Sequence, residues 1–470
     1  MPVPRVLAVI GVLAVFVTGC TSAKTSPDGT TPPSGALAAS GPRTPASDRA
    51  PPGRYADWST YHGSTDRSGY AATMPAVRGS MKVATKVSLD GAVYASPIVI
   101  KGVTIVATEN NTVYAFSPSF KRLWRKHLGA PSPAGQRPCG NVDPLGITGT
   151  PAYSASTGLL YVAPEFSGSP PTHQLYALSL NSGAVSFHRT LDLPGVDSRV
   201  MQERGALAVH GSRVYVPFGG LAGDCGAYKG RVIAYALTGA GNPASFTVPT
   251  AGEAGIWTPP GPTIDAAGNV LVAVGNGASV LGDPYDYSDS VLELSPTLRR
   301  TDSFSPSTWA QDNAVDADLG SQGPAVVGRW VFTAGKSGTA YVLSRTRLGG
   351  IGGQVSKANV CHSFGGTAVV GSVVYVPCTD GLRAVRIDGA GRMQVLWHAD
   401  SAITGSPVVG GTCVWSLNPD SGQLYSLDPK TGHADQHISV GTLSRFAAPA
   451  LYGRNVYVPT MTGFTVVRTS

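Results

Sequence analysis

A chain of 470 residues with 59 Gly, 37 Pro and only 13% charged residues has the composition of many turns and short strands, which excludes helical bundles and coiled coils. Hydrophobic residues reach 42%, enough for a large core, and the net charge of +7 is modest for this length. No basic run with interleaved aromatics occurs, so no nucleic-acid partner is expected, while the sign of the charge suits anionic headgroups or wall polymers.

The chain opens with a targeting segment. Arg5 precedes an apolar stretch over residues 6–17, too short to span a bilayer comfortably. It ends in Val17-Thr18-Gly19-Cys20, which resembles the lipobox of bacterial lipoproteins. The resemblance implies a signal peptide at 1–19, lipidation of Cys20 and a mature protein held outside the cytoplasmic membrane. The alternative is an ordinary signal peptide with an incidental cysteine. Residues 20–54 follow as a tether rich in Ser, Thr, Pro, Ala and Gly, with too little apolar surface to fold. As a flexible coil it spans roughly 30–35 Å.

From residue 55 to 470 one unit recurs. Its clearest copy is residues 401–432, SAITGSPVVGGTCVWSLNPDSGQLYSLDPKTG, in which Gly410-Gly411 and Asn418-Pro-Asp-Ser-Gly422 separate three short apolar runs. Runs of this length bounded by such residues predict antiparallel strands joined by tight turns. Eight copies are legible, with first strands beginning near Val93, Ile147, Gly205, Pro259, Gly320, Gly365, Ile403 and Ala447. Most add a fourth, aromatic strand such as Arg122-Leu-Trp124. A meander this small cannot bury its own faces, so copies must stack, and four-stranded sheets repeated radially give a β-propeller. The last copy stops after its third strand, whereas residues 82–89 form a strand without preceding partners. The expected fold is therefore all-β, an eight-bladed propeller closed by this N-terminal strand in the last blade. Seven blades is the fallback, and the fifth copy is the weakest because residues 349–360 show no clear fourth strand.

Units of the form SPVVGG…VWSL…GQLYSLDPKTG with a trailing Trp strand look like the repeats of pyrroloquinoline quinone (PQQ) propellers. The entry segment WSTYHGSTDRSGY at 58–70 is typical of such proteins. The resemblance covers about residues 55–470. It is shared by quinoprotein alcohol dehydrogenases and by non-catalytic lipoproteins similar to the propeller subunit of the outer-membrane β-barrel assembly machine. In the dehydrogenases a Trp floors the quinone, an Asn in a Gly-Asn turn binds calcium, and an Asp acts as base. By resemblance Trp257, Asn276 and Asp316 or Asp318 fall near those roles, with Asp224 where the family's glutamate ligand is expected. A hard cation takes oxygen ligands, and a carboxylate can accept the alcohol proton as hydride leaves. The family's vicinal cysteine pair is absent, since none of the six cysteines adjoins another.

Outside the cytoplasm the remaining cysteines are expected to oxidise. Cys361 and Cys378 flank one predicted hairpin and form the first expected disulfide. Cys139 and Cys225, in Gly-rich loops of adjacent copies, form the second. Cys413 is left as a buried thiol. The stretch Ala334-Gly-Lys336-Ser337 resembles the end of a phosphate-binding loop but lacks the earlier glycine and the following helix, so it is read as a blade turn. Two functional expectations follow. The first is a membrane-anchored, non-enzymatic binding or scaffold propeller without a cofactor, whose partner is a protein or an envelope component. The second is a dehydrogenase dependent on PQQ and Ca2+ with a modified site. Long insertions at 131–145, 219–229 and 279–290 are the candidate contacts, and the loops after first and third strands are expected to carry the binding faces.

Overall fold

The computed structural model describes residues 55–470, and the expected signal peptide 1–19, the lipidation site Cys20 and the tether 20–54 lie outside the described residues. Short Val-, Tyr- and Thr-rich runs punctuated by glycines at positive φ form eight antiparallel sheets arranged as the blades of a propeller. Blade 1 consists of Ile98–Ile100, Val103–Thr108, Thr112–Phe116 and Arg122–His127, from the axis outward. Blades 2 to 7 start from the inner strands Ala152–Ser154, Ala208–His210, Thr263–Ile264, Ala325–Val327, Ala368–Val370 and Val408–Gly410. Inner strands begin a few residues later than the sequence pattern suggests. The leading residues instead serve as inter-blade links, as where Ala206 N–H donates to the Pro259 carbonyl.

Blade 8 joins the two ends of the domain. Ala450–Tyr452, Asn455–Thr460 and Gly463–Arg468 are completed by Lys82–Ser88, with Val83 opposite Val467 and Val87 opposite Phe464. The blade count is eight. The fifth blade is also complete, because Ser356–Asn359 pairs with Thr339–Ser344 as its fourth strand. Sequence reading misses that strand because its residues, Ser-Lys-Ala-Asn, alternate between half-buried and exposed and carry no large apolar marker.

The core is a series of wedges between neighbouring sheets. Ile98, Ile105 and Val113 of blade 1 meet Leu160, Val162 and Leu178 of blade 2. The wedge that closes the ring gathers Trp415 and Leu417 of blade 7, Val456 and Phe464 of blade 8, and Val106 and Phe116 of blade 1. The repeat's trailing Trp and its turn glycine form one device. Trp397 of blade 6 donates its indole N–H to the Pro429 carbonyl at 2.9 Å and lies against Gly432 of blade 7. Trp124 repeats this on Leu180 and Gly183. A Cβ on Gly432, at φ +72°, would stand 2.4 Å from the Trp397 ring. Gly432→Ala is therefore expected to destabilise the protein by about 2 kcal/mol, through strain and overpacking, read from chemical denaturation.

The entry segment closes one end of the central channel by visiting the inner strands in ring order. Trp58 exchanges backbone hydrogen bonds with Val99 of blade 1, and the Ser59 carbonyl accepts from Tyr153 of blade 2. The Thr60 hydroxyl donates to the Leu207 carbonyl beside blade 3. The carbonyls of Thr65, Ser68 and Gly69 accept from Ile264, Val369 and Val409 of blades 4, 6 and 7. At the axis the Arg67 guanidinium, 3% exposed, donates to the carbonyls of Tyr61, Pro262 and Leu207 and to the Thr60 hydroxyl at 3.0–3.1 Å.

Candidate functional site

The chain enters the domain beside the first hairpins, where Tyr55 packs edge-on against Tyr452 of blade 8 at 5.6 Å. That end carries the plug. The other end of the channel opens as a funnel of about 540 Å³, walled by the connections that follow second strands and by the links between blades. The loops after first and third strands, expected from sequence to bind, lie together at the plugged end. The reason is topological: a hairpin of two residues after most inner strands, and at most five, has no length to build a pocket, whereas the second connections and the links vary freely.

Every site residue singled out by resemblance lines this funnel: Asp224, Trp257, Asn276, Asp316 and Asp318. Two of the long insertions form its rim. Cys139 in the first and Cys225 in the second are joined by a disulfide, and Val142, Leu145 and Leu221 pack beneath it. The second expected disulfide, Cys361–Cys378, is also present, and Cys413 is a buried thiol. Such bridges belong to an oxidising, extracytoplasmic compartment. The third insertion rises from the same connection as Asn276. It is pinned by Asn313, which donates to the Ser279 carbonyl and accepts from Gly277 N–H.

On the acidic wall, the indole N–H of Trp257 donates to Asp318 Oδ2 at 3.0 Å. Lys336 Nζ lies 2.5 Å from Asp316 and 3.5 Å from Asp318, and 5.9 Å above the Trp257 ring. Burial raises the Asp318 carboxyl, and the neighbouring ammonium opposes that rise. Asp224 accepts a 2.6 Å hydrogen bond from the Tyr228 hydroxyl. Sequence reading classes Lys336 as part of a turn, which it is, but the turn delivers its ammonium to this wall. Arg204, Arg445, Phe364 and Phe446, on the facing wall, leave no trace in the repeat pattern because they sit in links between blades.

Below the funnel, blades 1 to 3 bury a polar cluster. Glu109 accepts from Gly146 N–H at 2.7 Å and from the Thr148 hydroxyl at 3.2 Å, and burial pushes its carboxyl up to about 7. His173 sits 2.8 Å from Asp192 and 3.2 Å from Glu165; burial alone would lower it, but these two carboxylates raise it to about 10. A carboxyl whose pKa is raised by folding binds more protons folded than unfolded, so its contribution to stability falls as pH rises from about 4.5 to 7. Relative to Glu109→Gln, the wild type is expected to lose about 3 kcal/mol across that window in denaturant titrations. A flat difference would remove the assignment.

No family model matches the chain, and no curated protein matches it. Solved structures do. The quinohemoprotein alcohol dehydrogenase of Comamonas testosteroni aligns at TM-score 0.69 with 17% identity, covering 89% of this chain and 81% of that one. BamB of Moraxella catarrhalis aligns at TM-score 0.57 with 14% identity, covering 83% and 98%. The chain shares its eight-bladed propeller fold with these PQQ-like proteins. At such identities the likeness is one of fold, and the site must be judged on its own residues.

Judged so, the residues do not fit a calcium ion holding a quinone. Cys225, at the turn where the family's glutamate is expected, is consumed in a disulfide, and the Asp224 carboxylate receives a hydroxyl. The Lys336 ammonium already neutralises Asp316 and Asp318. What remains is Asn276, the second oxygens of Asp224 and Asp316 and the buried Oδ1 of Asp318, so no carboxylate in the funnel is left wholly free for the cation. Among the described residues no group of three His, Cys, Asp or Glu side chains is placed to hold a metal.

Proposed function

We propose that this protein is a non-enzymatic binding propeller of the cell envelope, tethered to the membrane through a lipid on Cys20 and engaging its partner at the funnel. The observation that carries the reading is the commitment of the site's acids. Asp316 and Asp318 are engaged by Lys336, and Asp224 by Tyr228, so the groups a dehydrogenase would use as base and ligands serve as structure. The rim, stapled by Cys139–Cys225, is rigid enough to present a fixed surface. Val280 and Leu281 on the third insertion, and Val315, stand exposed at 54%, 74% and 72%, apolar surface suited to a protein contact. The described chain enters at the plugged end, where Tyr55 packs on Tyr452, so the tether joins the domain at the end opposite the funnel.

The competing reading, a dehydrogenase dependent on PQQ and Ca2+, draws on the convergence of Trp257, Asn276, Asp316 and Asp318 in one cavity. Reconstitution separates the two. Purified protein given PQQ and Ca2+ is expected to show neither an absorbance shift nor dye reduction with alcohols or sugars. Turnover would overturn the binding reading. In parallel, pull-downs from membranes with the wild type as bait are expected to recover one partner reproducibly, and Leu281→Asp to lose it.

A further inference from the structure

Facing the acidic wall, the funnel holds two arginines in an alternating stack with aromatic rings. The Arg204 guanidinium lies 5.8 Å from the Trp257 ring and 4.6 Å from that of Phe446. Arg445 lies 5.4 Å from Phe446 and 4.6 Å from Phe364. The rings fix both guanidinium planes by cation–π contact, so neither needs a carboxylate to hold its position. Among the described residues neither forms an ion pair with an acid. Their proximity has an electrostatic cost: burial first, with the charge of Arg445 adding to it, pulls Arg204 down to about 10, while Tyr94 and Glu109 act the other way. Two like charges held together at the wall of an open cavity are an anion site.

The rest of the cavity describes the body of the ligand. Asn141, Asn276 and the carboxylate oxygens of Asp224 and Asp316 that Tyr228 and Lys336 leave unengaged line the same funnel as the arginines, suited to accept hydrogen bonds from hydroxyls. The aromatic rings offer flat apolar faces, and about 540 Å³ lies in the range of small-molecule sites, ~300–1,000 Å³. We propose that the funnel binds an acidic carbohydrate, a sugar carboxylate or sugar phosphate, with its anion against Arg204 and Arg445 and its hydroxyls toward the acidic wall. This rests on the reading of the funnel as a binding site, and it names the ligand class.

The test is calorimetric titration of the full chain with glucuronate, glucose 6-phosphate, glucose and inorganic phosphate. One acidic sugar is expected to bind, glucuronate assigning a carboxylate and glucose 6-phosphate a phosphate. Arg204→Gln and Arg445→Gln are each expected to weaken it about 10- to 100-fold, and Arg445→Lys to weaken it less. Both side chains border open cavity, so far-UV circular dichroism and the melting midpoint of these variants should match the wild type. Glucose or inorganic phosphate binding as tightly as the acidic sugars would overturn the inference, as would unchanged affinity in both Gln variants. If no acidic sugar binds while a membrane partner is still captured, this inference falls and the function proposed above stands. Turnover with PQQ and Ca2+ overturns both.

Discussion

Arg67→Met is expected to lower the stability of the domain by about 3 kcal/mol or more, read as a fall in the denaturant midpoint with the m-value retained. The side chain is buried at the axis and makes five hydrogen bonds, two within the plug to Thr60 and Tyr61 and three that tie it to Ala206, Leu207 and Pro262 beside blades 3 and 4. Truncation leaves the carbonyls of Pro262, Ala206 and Tyr61 facing an apolar thioether in a place water does not reach, at about 1–3 kcal/mol for each unsatisfied group. Relief of the buried charge, whose pKa burial pulls down to about 9, returns part of that loss. Arg67→Lys is expected to rescue little, because one ammonium cannot span acceptors on both sides of the channel as a planar fork does. A Met variant that melts with the wild type would show that the plug is ornamental and that the funnel's floor is held by the blades alone.

Removing the rim disulfide is the second large effect. Cys139 and Cys225 close a loop of 86 residues, and Cys361 and Cys378 one of 17. Under the chain-entropy account, Cys139→Ser with Cys225→Ser is expected to cost about 4–5 kcal/mol, and the Cys361/Cys378 pair about 3 kcal/mol. The two losses differ in consequence as well as size. The first bridge spans blade 2 to join the insertions that carry Asn141 and Asp224, so its removal should weaken ligand or partner capture along with stability. The second ties the link between blades 5 and 6 to the second connection of blade 6, and neither of its cysteines lines the funnel. Its loss should lower the midpoint with binding intact at temperatures where the protein is folded. Equal effects on binding from both pairs would argue that the rim acts only through global stability.

The extent to which the sequence reveals these features follows from how local each signal is. Strand triplets, their turn glycines and the trailing tryptophans recur because every blade meets the same problem, to hide two faces against its neighbours. The pairing of Val83 with Val467 is legible for a related reason: a repeat that stops one strand short leaves an obligation that an unpartnered strand elsewhere can meet. The Cys361–Cys378 bridge follows from hairpin register. By contrast, the fourth strand of blade 5 is set by its neighbour's open edge rather than by its own residues, and so it escapes a reading by composition.

The site divides along the same line. Trp257, Asn276, Asp316 and Asp318 are noticed because they stand near positions of a known pattern, and they do meet in one cavity. Their partners do not announce themselves. Lys336 looks like a residue in a turn until the fifth blade carries it to Asp316, and Arg204 is about 240 residues from the neighbouring pair Arg445 and Phe446 in the chain before the ring closes. The amino-acid order by itself determined the repeating meander, its number of copies and the oxidised cysteines, since each depends on the spacing of short, recurring signals. Tertiary structure alone decided which end of the channel is plugged, which acids are already engaged and which arginines are left facing solvent. Those properties arise where links from different blades converge on the axis, and convergence exists only once the ring has closed.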